Sequence, residues 1–262
     1  MTALETLILG IVQGLTEFLP VSSSGHLELV KFIFGSDYEQ DQGLLLTITL
    51  HAATAISTIF VFRKDIGTLL ADLLQFKKGE SLSFSLKILL SMVPAVLVGL
   101  LYEDFIASLF DGKIALVGNM LLVTALLLFF ADRVRENYKS ISFPNAFSIG
   151  IIQAIAILPG ISRSGATIAL AVLLNIDRNK AAKFSFLMVI PLILGSMAKS
   201  ILDGDLSGET TPVLPLIVGF VSAFLSGVLA CQWMVALVKK SQLKFFGYYC
   251  MVVGLIAILL SL

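Results

Sequence analysis

Six stretches of this chain are apolar enough and long enough to cross a lipid bilayer, and that pattern excludes most folds at once. A spanning helix needs about 20 mostly apolar residues. Residues 44–62, 84–101, 113–130, 183–201, 213–232 and 245–262 meet that requirement. Composition agrees: of 262 residues, 57% are hydrophobic and 14% charged, against roughly 45–50% and 25% in a soluble domain. A core that large would lack a polar coat, so lipid is the solvent. The reading is an all-α polytopic membrane protein, with residues 1–262 forming a single integral membrane domain. A formal net charge of zero gives no global field to suggest nucleic acid, and none is expected as a partner. Cys231 and Cys250 show neither C-x-x-C nor metal-ligand spacing and read as packing residues. The amino terminus has no basic n-region or small-residue cleavage site, so it reads as mature structure.

The loops set the orientation. Arg63, Lys64, Lys77, Lys78, Lys87, Arg133, Arg135, Lys139, Arg178, Lys180, Lys183, Lys239, Lys240 and Lys244 fall on one side of the six spans. Asp37, Glu39, Asp41, Glu103, Asp104, Asp111, Asp203, Asp205 and Glu209 fall on the other. Placing the basic loops in the cytoplasm satisfies the positive-inside rule at every span and puts both termini outside. Of 18 basic residues, only Lys31, Lys113 and Lys199 lie toward the outer side, and Arg163 lies in neither set of loops. The amphipathic segment DIGTLLADLLQF (65–76) is expected to lie along the inner surface.

Two further apolar regions are interrupted. Residues 2–34 are broken by PVSSSG (20–25) and residues 146–175 by PGISRSG (159–165). Each reads as a short helix, a polar break and a second short helix. Irregular backbone at membrane depth is tolerated only where protein or water covers it, so both are expected to be re-entrant hairpins in the interior. The first precedes a span running inward and enters from outside; the second lies between cytoplasmic loops and enters from inside. They are also alike. GIVQGLTEFLPVSSSG (10–25) aligns without gaps on GIIQAIAILPGISRSG (150–165), with Gly10, Ile11, Gln13, Ser22, Ser24 and Gly25 recurring as Gly150, Ile151, Gln153, Ser162, Ser164 and Gly165. Opposite entry with internal similarity is the pattern of an inverted-topology repeat, whose broken helices build a site near the midplane. The halves are about 1–130 and 131–262.

The breaks concentrate the polar chemistry. Gln13 and Glu17 are four apart and share a helix face. After each break a helix restarts with free N–H groups and about half a positive charge, which favours anions and phosphate above all. Arg163 adds a planar fork suited to phosphate oxygens. Ser22, Ser24, Gly25, Ser162, Ser164, Gly165 and Thr167 complete a candidate anion pocket, with Glu17, Ser23, His26 and Arg163 as candidate catalytic groups. Blander roles compete: Arg163 as a structural lock on Glu17, His26 as a helix-end polar residue, and the serines as N-caps. Yet an ionisable side chain at bilayer centre costs about 2.5–3.5 kcal/mol on insertion scales, which argues for function. His51 reads as a hydrogen-bonded structural residue, and Pro94 and Pro191 as helix kinks.

SSGH (23–26) is not the P-S-G-H element of type-2 phosphatidic-acid phosphatases, because the accompanying Lys/Arg-Pro element, second histidine and aspartate are missing. No P-loop, H-E-x-x-H or nucleophile elbow occurs. QGLTEFLPVSSSGHL (13–27) and LPGISRSGATI (158–168) closely resemble the two signature regions of bacterial undecaprenyl-diphosphate phosphatases of the bacitracin-resistance BacA type. That resemblance implies hydrolysis of undecaprenyl diphosphate to the monophosphate and phosphate. The reaction recycles the lipid carrier for peptidoglycan and other envelope polymers, and confers bacitracin resistance because the drug binds the diphosphate form. It further implies a multi-pass protein of the bacterial plasma membrane with its active site opening to the outer face. The family's E/Q-x-x-x-E element falls on Gln13 and Glu17, its serine-histidine element on Ser22, Ser23, Ser24 and His26, and its P-G-x-S-R-S-G element on Pro159, Gly160, Ser162, Arg163, Ser164 and Gly165. A divalent cation, magnesium or calcium, is part of the resemblance, with Gln13 and Glu17 as the side chains to hold it. The expected partners are a polyprenyl diphosphate lipid and the bilayer, with room for a homodimer.

A transporter or lipid flippase is the main rival, because facing hairpins in inverted repeats are a transporter device. A non-catalytic lipid-binding subunit is a third reading, and it leaves Glu17, Ser23 and His26 idle. For an enzyme these residues suggest Ser23 as nucleophile, His26 or Glu17 as proton acceptor, and Arg163 holding the phosphoryl group. Attack by activated water and a nucleophilic His26 remain alternatives.

Overall fold

A computed structural model describes residues 2–34, 40–77, 79–110, 112–134, 138–202, 212–240 and 242–261, with the side chains of 34 and 40–44 not described. Among these the chain forms helices and no strand. In order they are α1 (Ala3–Phe18), α2 (Ser23–Phe34), α3 (Gln40–Val61), α4 (Arg63–Leu74), α5 (Glu80–Leu101) and α6 (Glu103–Leu109). Then follow α7 (Ile114–Asp132), α8 (Phe143–Ile155), α9 (Arg163–Leu173), α10 (Arg178–Leu202), α11 (Val213–Lys239) and α12 (Leu243–Leu260).

The six expected spans fall on α3, α5, α7, α10, α11 and α12. Five of these are long and apolar enough alone; the sixth, Leu45–Val61 of α3, bends by 79° into α4. α4 covers the segment expected on the inner surface, and none of its residues is buried. Asp72 on α4 accepts hydrogen bonds from Ser81 at 2.6 Å and Lys77 at 3.3 Å. The Ser81 bond first, then Lys77, hold its carboxyl below the ordinary carboxylate range. A second ion pair, Asp65 with Lys183, ties α4 to α10. Asp37, Glu39, Lys78, Asp111, Arg135, Asp203, Asp205 and Glu209, on which part of the orientation rests, lie outside the described residues.

Both interrupted regions are broken helices. α1 and α2 hold 16 and 12 residues, and α8 and α9 hold 13 and 11. At 1.5 Å per residue each falls short of the roughly 30 Å hydrocarbon core. Local signals start two of them: Thr2 and Glu5 form a capping box at α1, and Ser142 caps α8 by accepting from the Asn145 N–H.

Packing repeats between the halves. With α1 and α2 matched to α8 and α9 by their breaks, chain order matches α3 to α10, α5 to α11 and α7 to α12. Contacts obey that match: α1 packs on α11 as α8 packs on α5, and α3 meets α11 as α10 meets α5. α3 also meets α10, and α7 meets α12, each helix touching its own counterpart. Glycines permit the closest approaches, since lipid offers no hydrophobic drive between helices and backbone proximity must supply the packing. A Cβ on Gly14 would sit 2.5 Å from the Ala223 carbonyl of α11, and one on Gly150 2.5 Å from the Ser91 carbonyl of α5. Leu121, Leu128, Ile168, Met188, Met234 and Leu243 fill the centre among α7, α9, α10, α11 and α12, fully buried. The outward faces stay apolar, with Leu101 72% and Leu229 67% exposed, as a lipid-facing surface requires. Arg178, counted among the loop charges by sequence, is instead buried, its guanidinium donating to the Ala131 and Val134 carbonyls at the end of α7.

Candidate active site

The two breaks meet. A Cβ on Gly25 would lie 3.1 Å from the Gly160 Cα, and one on Gly165 would lie 3.0 Å from the Pro20 side chain. Only residues without side chains let the turns touch, which explains a glycine at each. Ser164 Oγ donates to the Leu19 carbonyl at 3.2 Å, stitching one break to the other. Each break is anchored to a neighbouring span. Thr124 of α7 donates to the Gly160 carbonyl and accepts from the Ser162 N–H, both at 3.0 Å. Cys250 of α12 lies 3.5 Å from the Pro20 carbonyl.

The serines of the two breaks behave alike. Ser22 accepts from the Gly25 N–H at 3.2 Å, and Ser162 accepts from the Gly165 N–H at 3.1 Å. Their hydroxyls approach Ser24 and Ser164 at 3.4 and 3.3 Å. Ser22 and Ser162 therefore serve as caps, the blander role weighed from sequence. Ser22 sits at φ 72°, a region costly for a side chain, and its capping bond helps hold the turn there. Thr167 is buried against α10, 2.6 Å from Ser185 Oγ, and also donates to the Arg163 carbonyl at 2.8 Å.

Glu17 organises the chemistry. Its side chain is 3% exposed, and one oxygen is ion-paired with Arg163. The other accepts from Ser23 Oγ at 2.8 Å and from Gln13 Nε2 at 3.0 Å. So the first residue of α2 and the first residue of α9 both hold the carboxylate at the end of α1. Glu17, Ser23, Ser24, His51 and Arg163 line one end of a cavity of about 800 Å³ between α5, α6 and α10, and Glu103, Ser196 and Lys199 line the other. The Oε1 atoms of Gln13 and of its repeat partner Gln153 are buried without a hydrogen-bond partner.

His26 takes a different place. Its Nδ1 lies 2.8 Å from the Ser22 carbonyl, and its Nε2 lies 2.8 Å from the Tyr249 hydroxyl of α12. The rings stack with centroids 5.5 Å apart. Of the two proton acceptors considered for Ser23, the one in contact with it is Glu17, while the His26 ring nitrogens lie against the Ser22 carbonyl and the Tyr249 hydroxyl. Sequence reasoning did not find Tyr249, which is one aromatic among several in an apolar span. His51 keeps the expected hydrogen bond, Nδ1 to the Thr47 carbonyl at 2.8 Å, but also faces the cavity.

Residues 6–256 match the family model described as Bacitracin resistance protein BacA. The chain belongs to the BacA family. Among curated relatives, an undecaprenyl-diphosphatase of Christiangramia forsetii is 56% identical over 261 residues, covering 100% of this chain and 99% of that one. An undecaprenyl-diphosphatase of Bacteroides fragilis is 46% identical over 264 residues, covering 98% and 97%. One of Parabacteroides distasonis is 45% identical over 267 residues, covering 100% and 99%. In this BacA-family chain, the site described above lies within the matched region, and its apolar spans make it a multi-pass membrane protein.

Proposed function

We propose that this chain hydrolyses undecaprenyl diphosphate to undecaprenyl phosphate and inorganic phosphate, recycling the lipid carrier and conferring bacitracin resistance. The observation that carries the mechanism is Ser23 Oγ on the Glu17 carboxylate, beside Arg163, at one end of a largely apolar cavity. Hydrolysis needs a nucleophile, an acceptor for its proton and stabilisation of charge on the transferring oxygens. The Arg163 fork is drawn from Glu17 onto the terminal phosphate, where it pairs with two oxygens. Glu17, relieved of that partner, takes the Ser23 proton as Oγ bonds to the terminal phosphorus. The bond from phosphorus to the bridging oxygen breaks, and the lipid monophosphate leaves. The departing monophosphate carries off the proton from Glu17. Water then attacks the phosphoserine with Glu17 accepting its proton, and Glu17 passes that proton to Ser23 Oγ as the bond from phosphorus to Oγ breaks. The starts of α2 and α9 add backbone donors around the phosphate.

Glu17, Ser23 and the partnerless Gln13 Oε1 are all oxygen donors, a set that suits magnesium or calcium when phosphate oxygens complete the shell. When bound, such an ion would neutralise charge on the phosphate oxygens. The cavity extends toward α6 and the ends of α5 and α10 that the loop charges place outside. This supports a site opening to the outer face of a bacterial plasma membrane. The transporter reading shares the inverted repeat but gives no role to a serine hydroxyl on a buried carboxylate. The test is purified protein in detergent with undecaprenyl diphosphate: phosphate release is expected, and its loss in Ser23→Ala with lipid binding retained.

A further inference from the structure

We infer that the window between α5 and α10 holds the isoprenoid chain of the substrate, with Gly99 and Gly195 setting its bore; this rests on the diphosphate reading of the site. At one end the two helices pack together. The rings of Phe84 and Phe184 lie 5.7 Å apart, and Ser91 Oγ lies 3.6 Å from Met188 Sδ. Just beyond, each helix carries a proline, Pro94 and Pro191, which removes a ladder hydrogen bond where the helices part. At the other end an ion pair, Lys199 to Glu103 at 2.6 Å, joins α10 to α6. Between these two closures lies the cavity of about 800 Å³ that begins at Glu17, Ser23 and Arg163. Val96, Leu100, Leu192 and Ile193 give it apolar walls.

The repeat makes the opening informative. The counterpart of the α5–α10 pair is α11 with α3, and that interface is filled. Ser57 Oγ donates to the Phe224 carbonyl at 2.9 Å, and a Cβ on Gly219 would lie 3.2 Å from Leu50. Gly99 and Gly195 line the open interface, and a Cβ on either would meet nothing within 4 Å. Glycine weakens a helix, and at most membrane interfaces it compensates through close backbone contact. At Gly99 and Gly195 no protein atom takes up the space, so the space is kept for a ligand. The ligand must join the phosphate site, pass apolar walls and leave between two helices into lipid. A prenyl chain does all three. The ten helical steps from Val189 to Lys199 span about 15 Å, room for the first few isoprene units.

The test uses the full-length protein in detergent, with Gly99→Ala, Gly99→Leu and Gly99→Phe and the same series at Gly195. The Ala variants meet no atom and should fold as the parent does. For undecaprenyl and farnesyl diphosphate, kcat/KM should fall stepwise with side-chain size, by about tenfold or more at Phe and mainly through KM. Isopentenyl diphosphate should be affected less, so selectivity shifts toward the short substrate. Leu97→Phe, on the lipid-facing side of α5, should leave that selectivity alone. An equal loss for all three substrates, or rates within twofold of the parent throughout, would overturn the inference. A farnesyl diphosphate bearing a photoreactive group in its chain gives a readout independent of turnover. It should label α5 and α10, and Gly99→Phe should suppress that labelling; labelling confined to other helices overturns the slot. Labelling at α5 and α10 by a parent protein that releases no phosphate would uphold the slot and defeat the hydrolytic reading.

Discussion

Glu17 carries three partners on two oxygens, and each partner predicts a different failure. A buried carboxylate left unpaired is costly, and breaking a buried pair typically costs about 3–5 kcal/mol. Arg163→Gln should therefore harm folding as well as chemistry. Arg163→Lys separates the two, because an ammonium still neutralises Glu17 but has no planar fork for phosphate. That variant should keep its unfolding temperature in detergent near the parent's while losing at least about tenfold in kcat/KM, or roughly 1.4 kcal/mol of barrier. Were Arg163 only a lock, the double change Glu17→Gln with Arg163→Gln would restore both folding and hydrolysis. Recovered turnover in that double variant would refute the clamp. Gln13 bears on the ion: treatment with a chelator should lower phosphate release and added magnesium or calcium should restore it. A rate indifferent to chelation would remove the ion from the account.

At the scale of elements, close contacts should fail where open glycines do not. Gly150→Ala drives a methyl against the Ser91 carbonyl at 2.5 Å, whereas Gly67 on α4 has nothing within 4 Å. The first should lose about 1–3 kcal/mol of stability by overpacking and the second essentially none, as read by thermal unfolding in detergent. The elements themselves were largely legible. Hydropathy placed all six spans, and the Pro, Gly and Ser clusters at 20–25 and 159–165 placed both breaks, because lipid imposes length and apolarity directly on sequence. α6 was missed, since seven residues beginning with Glu103 and Asp104 read as an acidic loop. The partners within the site were half legible. Gln13 with Glu17 follows from helical spacing, whereas Glu17 with Arg163 spans 146 positions and was available only as a competing role. His26 with Tyr249 spans 223 positions, and no local period announces it. Pro94 and Pro191, read as kinks, lie inside α5 and α10 beside the cavity.

For the whole molecule, the inverted repeat makes orientation decisive. Facing hairpins require opposite entry, so Asp104 on α6 and Arg133 after α7 should lie on opposite sides of the membrane. An impermeant thiol reagent added outside should label a cysteine placed at 104 and not one placed at 133; labelling at 133 would overturn the arrangement. The two halves share a fold but not their chemistry. Glu17 has Ile157 as its counterpart, and Ser23 has Arg163, so in the proposed mechanism one half supplies acceptor and nucleophile and the other the phosphate clamp. The proposed mechanism therefore needs both breaks to complete one site. The most direct measurement is inorganic phosphate released from undecaprenyl diphosphate by the purified protein, alongside its Ser23→Ala variant. Steady release is expected with undecaprenyl phosphate as co-product, falling by about a thousandfold, or roughly 4 kcal/mol of barrier, in Ser23→Ala. No release by the parent protein would contradict the hydrolytic claim, and a Ser23→Ala variant keeping a tenth or more of the rate would remove Ser23 as the nucleophile.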